Sequence, residues 1–147
     1  MDMKRIGILV AGLCCMGSAM AANVIEEVPV EKLPHLAGQH LKAYFPGIAV
    51  AHATRDKGGM KNHYEVVLED STVLEFDKDG NWMLVDCGNR AVPQRNIPGM
   101  LIMELQKNHP GVTIVKMTRD RKEGYILTTS EGEKLMYDIN YKPLKQE

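Results

Sequence analysis

The segment Asp77-Lys78-Asp79-Gly80-Asn81 sets oxygen-bearing side chains at alternate positions, the arrangement that an oxygen-lined calcium loop uses. A helix–loop–helix calcium loop also needs glycine sixth and a bidentate glutamate twelfth, whereas here glycine is fourth and the twelfth position is Gly88. The segment therefore reads as a hairpin turn with solvated carboxylates. The histidines, His35, His40, His52, His63 and His109, show neither HxxxH nor HExxH spacing, and no cysteine pair supports a zinc site. A GxSxG elbow and a phosphate loop are missing, and Gly58-Gly59 reads as a flexible hairpin tip. No constellation of titratable residues points to a reaction, so no catalytic residue, metal site or cofactor is expected.

Thr54-Arg55-Asp56 recurs as Thr118-Arg119-Asp120. Paired arginines could anchor an acidic partner, but strand ends carrying a turn-opening aspartate are the favoured reading of the motif, and duplication alone explains its recurrence. That duplication is extensive. Pro34 to Pro46 and Pro98 to Pro110 both span 12 residues, Pro34 to Thr54 and Pro98 to Thr118 both span 20, and Tyr64 to Asp77 and Tyr125 to Asp138 both span 13. A deletion of three residues before Tyr125 reconciles the two series. A supersecondary unit has been duplicated.

Each unit is expected to hold a helix and four antiparallel strands. Leu33, Leu36, Ala37, Leu41, Tyr44 and Phe45 recur at helical spacing, and Pro46-Gly47 ends that helix. Strands follow at 48–54, 64–69, 72–77 and 81–86, with Asp70-Ser71 and Asp79-Gly80 as turns. Leu36, Leu41 and Phe45 should cover the face bearing Tyr64, Val66, Leu68, Leu74 and Phe76. The second unit repeats the plan with a helix at 98–108, strands at 112–118, 125–129 and 133–138, and a shorter last strand near 141–144, where Pro143 stands in place of Trp82. The expected division is a signal peptide at 1–21, a loose arm at 22–32, units at 33–87 and 97–147, and a linker at 88–96. Units this small are marginal alone, so one continuous sheet with both helices on the same side is expected.

The start of the chain is different in kind. Lys4 and Arg5 precede an apolar run from Ile6 to Met16, and Ala19-Met20-Ala21 forms a small-x-small cleavage site before Ala22. The run is too short for a membrane span, so the mature chain is expected to be periplasmic or secreted. Leu13-Cys14-Cys15 lacks the small residue that a lipoprotein signal places before its cysteine. Removing Asp2, Lys4 and Arg5 takes away one net positive charge, so a formal charge of −1 becomes −2. That balance argues against a nucleic-acid partner. Cleavage leaves Cys87 as the one thiol, a small apolar residue at a strand end or a partner in an intermolecular disulfide.

Tyr44-Phe45-Pro46-Gly47, Tyr64-Glu65-Val66-Val67-Leu68, Leu74-Glu75-Phe76-Asp77 and Asp79-Gly80-Asn81-Trp82 together resemble the PepSY-like family of exported Bacteroidetes proteins. The resemblance covers nearly all of the mature chain. It implies an α+β fold similar to the β-lactamase inhibitor protein, with tandem helix and four-stranded units and a concave sheet face. It implies no established activity. Related PepSY domains occur in protease propeptides, so inhibition is an analogy of fold. The second half departs from the family pattern at His109 and at residues 140–143.

The functional expectation therefore rests on a surface. Strand alternation places His63, Glu65, Val67, Val73 and Glu75 away from the first helix, with Ile126, Thr128 and Met136 in the second half. Trp82 joins this set as a candidate anchor, its facing open. Apolar residues mixed with charge on an exposed face fit a protein-binding or inhibitor-like module. A small-ligand carrier or envelope sensor is the alternative. The partner and the oligomeric state are open at this point.

Overall fold

A computed structural model describes residues 25–58 and 62–145. The expected signal peptide at 1–21 and the first residues of the arm lie outside the described residues.

Two helices form where the sequence breaks its strand alternation. Helix α1 spans His35–Tyr44 and helix α2 spans Gly99–Asn108. Each is entered from an extended proline, Pro34 or Pro98, whose missing N–H costs nothing at a helix start. Each is preceded by a 3₁₀ turn, Val30–Lys32 or Gln94–Asn96. Both end in the same way, with the N–H of Phe45 bonded to the Leu41 carbonyl at 2.9 Å and that of His109 to the Leu105 carbonyl at 2.8 Å.

The strands are β1 (Ile25–Glu27), β2 (Val50–Asp56), β3 (His63–Leu68), β4 (Val73–Asp77), β5 (Trp82–Asp86), β6 (Ile114–Asp120), β7 (Gly124–Thr129) and β8 (Lys134–Tyr137). They form one antiparallel sheet of eight strands in sequence order. The class is α+β. Four strands, β2 to β5, follow α1 as expected, but only three, β6 to β8, follow α2, and β1 precedes α1, so the sheet is not two equal units of helix plus four strands. The residues read as a loose arm supply β1, which pairs with β2 through Glu26 opposite Arg55. The short strand expected near 141–144 is reduced to a single bridge between Tyr137 and Pro143, because proline offers no N–H to a ladder.

One cross-strand row carries the core. Ala53, Val66, Leu74, Val85, Met117, Leu127 and Leu135 face one another in succession from β2 to β8. All are buried, five of them completely. Leu33, Ala37, Leu41 and Phe45 pack on this row from the first helical segment, and Ile97, Leu101 and Leu105 from the second, in one continuous hydrophobic cluster. Both helices therefore share one side of the sheet. Leu36, expected among the covering residues, is instead 47% exposed, and Ala37 takes the inward place.

The corresponding turns of the two halves share a hydrogen-bond pattern. Asp77 Oδ1 accepts the N–H groups of Asp79 and Asn81, and Asp138 Oδ1 accepts those of Asn140 and Lys142. The turns differ at their left-handed position, occupied by Gly80 (φ +93°) in the first and Tyr141 (φ +67°) in the second. A Cβ on Gly80 would stand 2.8 Å from the Ala37 nitrogen and 2.9 Å from the Pro34 Cβ. Glycine is needed there because the turn tucks against the start of α1.

Candidate interaction surface

The face opposite the helices is built by the residues that alternate with the core row. Its central row runs Thr54, Glu65, Glu75, Leu84, Thr118, Ile126, Met136 across β2 to β8. The row beside it carries Val67 opposite Val73, then Asp86, Lys116, Thr128 and Lys134. Seven of the eight residues singled out from sequence thus lie on this face: Glu65, Val67, Val73, Glu75, Ile126, Thr128 and Met136.

Trp82 does not. It faces Phe76 across the β4–β5 hairpin and packs against the core on the helix side. An irregularity between Glu75 and Phe76 sets Glu75 opposite Leu84 but Phe76 opposite Trp82. The bulge reverses the alternation, and the tryptophan leaves the open face. Its ring lies under the guanidinium of Arg119, 4.6 Å from Cζ to the ring centroid, and 6.4 Å from the ring of Tyr125. Tyr125 stacks in turn on Tyr141 at 5.3 Å. In the first copy Arg55 lies over Tyr64 at 5.5 Å. The repeated arginines thus each cover an aromatic ring, in keeping with the reading of Thr-Arg-Asp as sheet architecture.

The open face is divided chemically. Towards β3 and β4, Glu65 and Glu75 are direct cross-strand partners, an arrangement that opposes like charges. His63 Nε2 stands 3.8 Å from Glu75 Oε1. Towards β5 to β8, Leu84, Ile126, Met136 and the returning Leu144 line a hollow of about 550 Å³, with Glu75 and Glu123 at its border. Met136 is 38% exposed and Leu144 41%, although both are large and apolar. Leu84 joins the row only through the register of β5 with β4 and β6, and Leu144 reaches the hollow where the chain returns past β8 and its N–H bonds to the Met136 carbonyl at 2.9 Å.

The remaining polar groups do other work. Burial works against ionisation of Asp77, yet N–H donors from Asn81 and Asp79 and the nearby Arg121 outweigh it and hold the carboxyl below its usual range. His40 sits among Tyr44, Phe45 and Phe76, and burial lowers its pKa to about 4 against the opposing effect of nearby Asn96. Cys87 is 2% exposed and burial pushes its thiol up, so an intermolecular disulfide would require the strand end to open. Its place is that of a small core residue. Among the described residues no three histidine, cysteine, aspartate or glutamate side chains are grouped to hold a metal ion.

Residues 20–72 and 62–145 match the family described as "Putative beta-lactamase-inhibitor-like, PepSY-like". The chain belongs to the PepSY-like family. Solved proteins of similar shape come from Bacteroides. One, from Bacteroides thetaiotaomicron and described as a "putative calcium-regulated periplasmic protein", is 30% identical with a TM-score of 0.77, over 82% of this chain and 94% of its own. One from Bacteroides vulgatus, described as a "putative periplasmic protein of unknown function", is 32% identical with a TM-score of 0.76, over 84% of this chain and 97% of its own. A second from the same species, also described as periplasmic, is 28% identical with a TM-score of 0.78, over 85% and 98%. No curated protein matches the chain. Among the described residues of this PepSY-like chain, no helix is long and apolar enough to cross a membrane.

Proposed function

We propose that this PepSY-like chain is an exported, non-enzymatic module of the periplasm or exterior that binds a protein partner through the open face of its sheet. The central row carries the reading: a like-charged pair, Glu65 and Glu75, continues directly into the apolar Leu84, Ile126 and Met136. A folded chain gains nothing from opposing two carboxylates or from leaving methionine and leucine in water. Both features become favourable against a partner that offers basic groups beside an apolar patch. The inhibitor-like description of the family is consistent with a partner that is itself an enzyme, and the duplicated helix–sheet plan with a β-lactamase-inhibitor-like ancestry.

Calcium has no part in the proposal. The description of the B. thetaiotaomicron protein includes calcium regulation, but here the turn carboxylates of Asp77 and Asp138 accept backbone N–H groups, and the residues do not fit a calcium loop. A small-ligand carrier is the second reading, favoured by the volume of the hollow, which lies in the range of small-molecule sites.

Affinity capture from envelope extract, comparing the chain with Val67→Glu and Ile126→Glu variants, tests the main reading. A discrete protein retained by the parent chain and lost from both folded variants is expected. Equal capture by all three removes the open face from the account. A ligand-dependent rise in Tm without any protein partner would favour the carrier.

A further inference from the structure

The two halves of the chain differ in one apolar groove, and the second half shows what belongs in it. In the first half the groove lies between α1, the 3₁₀ turn at Val30–Lys32 and the start of β2, has a volume of about 590 Å³, and is bordered by Leu33, Leu41, Phe45, Ile48 and Val50. Its counterpart beside α2 measures about 290 Å³ and is bordered by Ile97, Ile102, Leu105 and Val112. The halves are offset by 64 residues through the helices, so Gly38 occupies the position of Ile102. Ile102 packs its side chain against the core cluster. Gly38 offers none, and a Cβ built on it would meet no atom within 4 Å.

Glycine inside a helix costs about 0.5–1 kcal/mol relative to alanine. At Gly38 neither a close backbone approach nor a positive φ requires it. What it does is keep the groove floor open where the other half closes it with an aliphatic side chain. The rim is charged on opposite sides, with Glu31 on the 3₁₀ turn and Lys42 on the helix. Among the described residues neither makes an ion pair or a side-chain hydrogen bond.

We infer that this groove is a second binding site, separate from the open sheet face, that takes one branched aliphatic side chain of a partner protein's peptide segment in the place Ile102 fills in the second half. Flanking residues of the segment pair with the rim, a basic one with Glu31 and an acidic one with Lys42. The site sits on the helix side and does not depend on the open-face reading.

The test titrates the isotope-labelled chain with the peptides acetyl-Ser-Lys-Ile-Glu-Ser-amide and acetyl-Ser-Glu-Ile-Lys-Ser-amide, and with copies carrying serine for isoleucine. Amide shifts concentrated at Leu33, Gly38, Leu41, Phe45 and Ile48 are expected from at least one isoleucine peptide, and none from its serine copy. Gly38→Ile should weaken that binding at least about tenfold, a loss of roughly 1.4 kcal/mol. Gly38→Ala, which fits any helix, should weaken it less while raising Tm, which separates a filled groove from a misfolded chain. The inference is overturned by equal binding to Gly38→Ile, by equal binding of the serine peptides, or by no shifts up to about 5 mM peptide, an affinity too weak to act. Groove shifts caused by decanoate but not by peptide, or by dilution of the chain alone, would likewise overturn it in favour of a lipid chain or a second copy.

Discussion

Arg119 lies over the Trp82 ring at 4.6 Å, on the helix side of the sheet to which the β4–β5 bulge turns the only tryptophan. The aromatic residue that composition marks as an interface anchor is thus part of a row, Trp82, Tyr125 and Tyr141, that closes the second half where its fourth following strand is missing. Arg119→Ala should lower stability by about 1 kcal/mol, the scale of a partly exposed cation–π contact. Urea unfolding followed by Trp82 fluorescence measures this, and partner capture by the folded variant should be unchanged.

Gly80 is expected to be intolerant of side chains. Its φ of +93° and the Ala37 nitrogen 2.8 Å from a built Cβ make Gly80→Ala costly twice over. A loss of about 2–4 kcal/mol is predicted, at the upper end of single-residue effects. Gly132→Ala, at φ +89° with no atom within 4 Å, should cost only the backbone strain, about 1 kcal/mol. Thermal unfolding of the two variants side by side checks the difference.

The like-charged pair makes a prediction of opposite signs. Glu75→Gln should stabilise the isolated chain by about 0.5 kcal/mol, because it relieves the carboxylate of Glu65 directly opposite. The same change should weaken capture of a basic partner. Chemical denaturation and binding measured on one preparation reveal whether the two effects oppose each other.

Acid sensitivity should run through His40. Burial holds its folded pKa at about 4 against an ordinary 6.5, with Arg119 also disfavouring the charged form. Between those values the unfolded chain binds the proton and the folded chain does not, so stability is complete above pH 6.5 and declines as pH falls towards 4. His40→Phe should flatten that part of the profile and leave the decline at lower pH, where Asp70 and Asp77, both held below their usual range, take up protons.

Much of this fold is legible in the residues. Proline before each helix, Pro-Gly after it and the Tyr-to-Asp spacing placed both helices and seven of the eight strands within two residues, because each signal acts through local backbone sterics. β1 escaped because Ile25-Glu26-Glu27 has no period of its own and becomes a strand only through β2. Trp82 escaped for a related reason. A bulge is a relation between two strands, and counting along one of them leaves the side of the ring open. The open face itself followed from alternation at Glu65, Val67, Glu75 and Ile126, whereas Leu84 required the register and Leu144 the return of the chain past β8. The exchange of Ile102 for Gly38 is plain in the aligned halves, yet it acquires meaning only beside the groove volumes.

Photo-crosslinking in the native envelope tests the central claim most directly. A photoreactive residue in place of Met136, on the open face, is compared with one in place of Met103, which is 63% exposed on α2. The account predicts one discrete protein adduct from position 136 that Ile126→Glu abolishes, with no such adduct from position 103. Adducts of equal yield from both positions, or an adduct at 136 that survives Ile126→Glu, would contradict it.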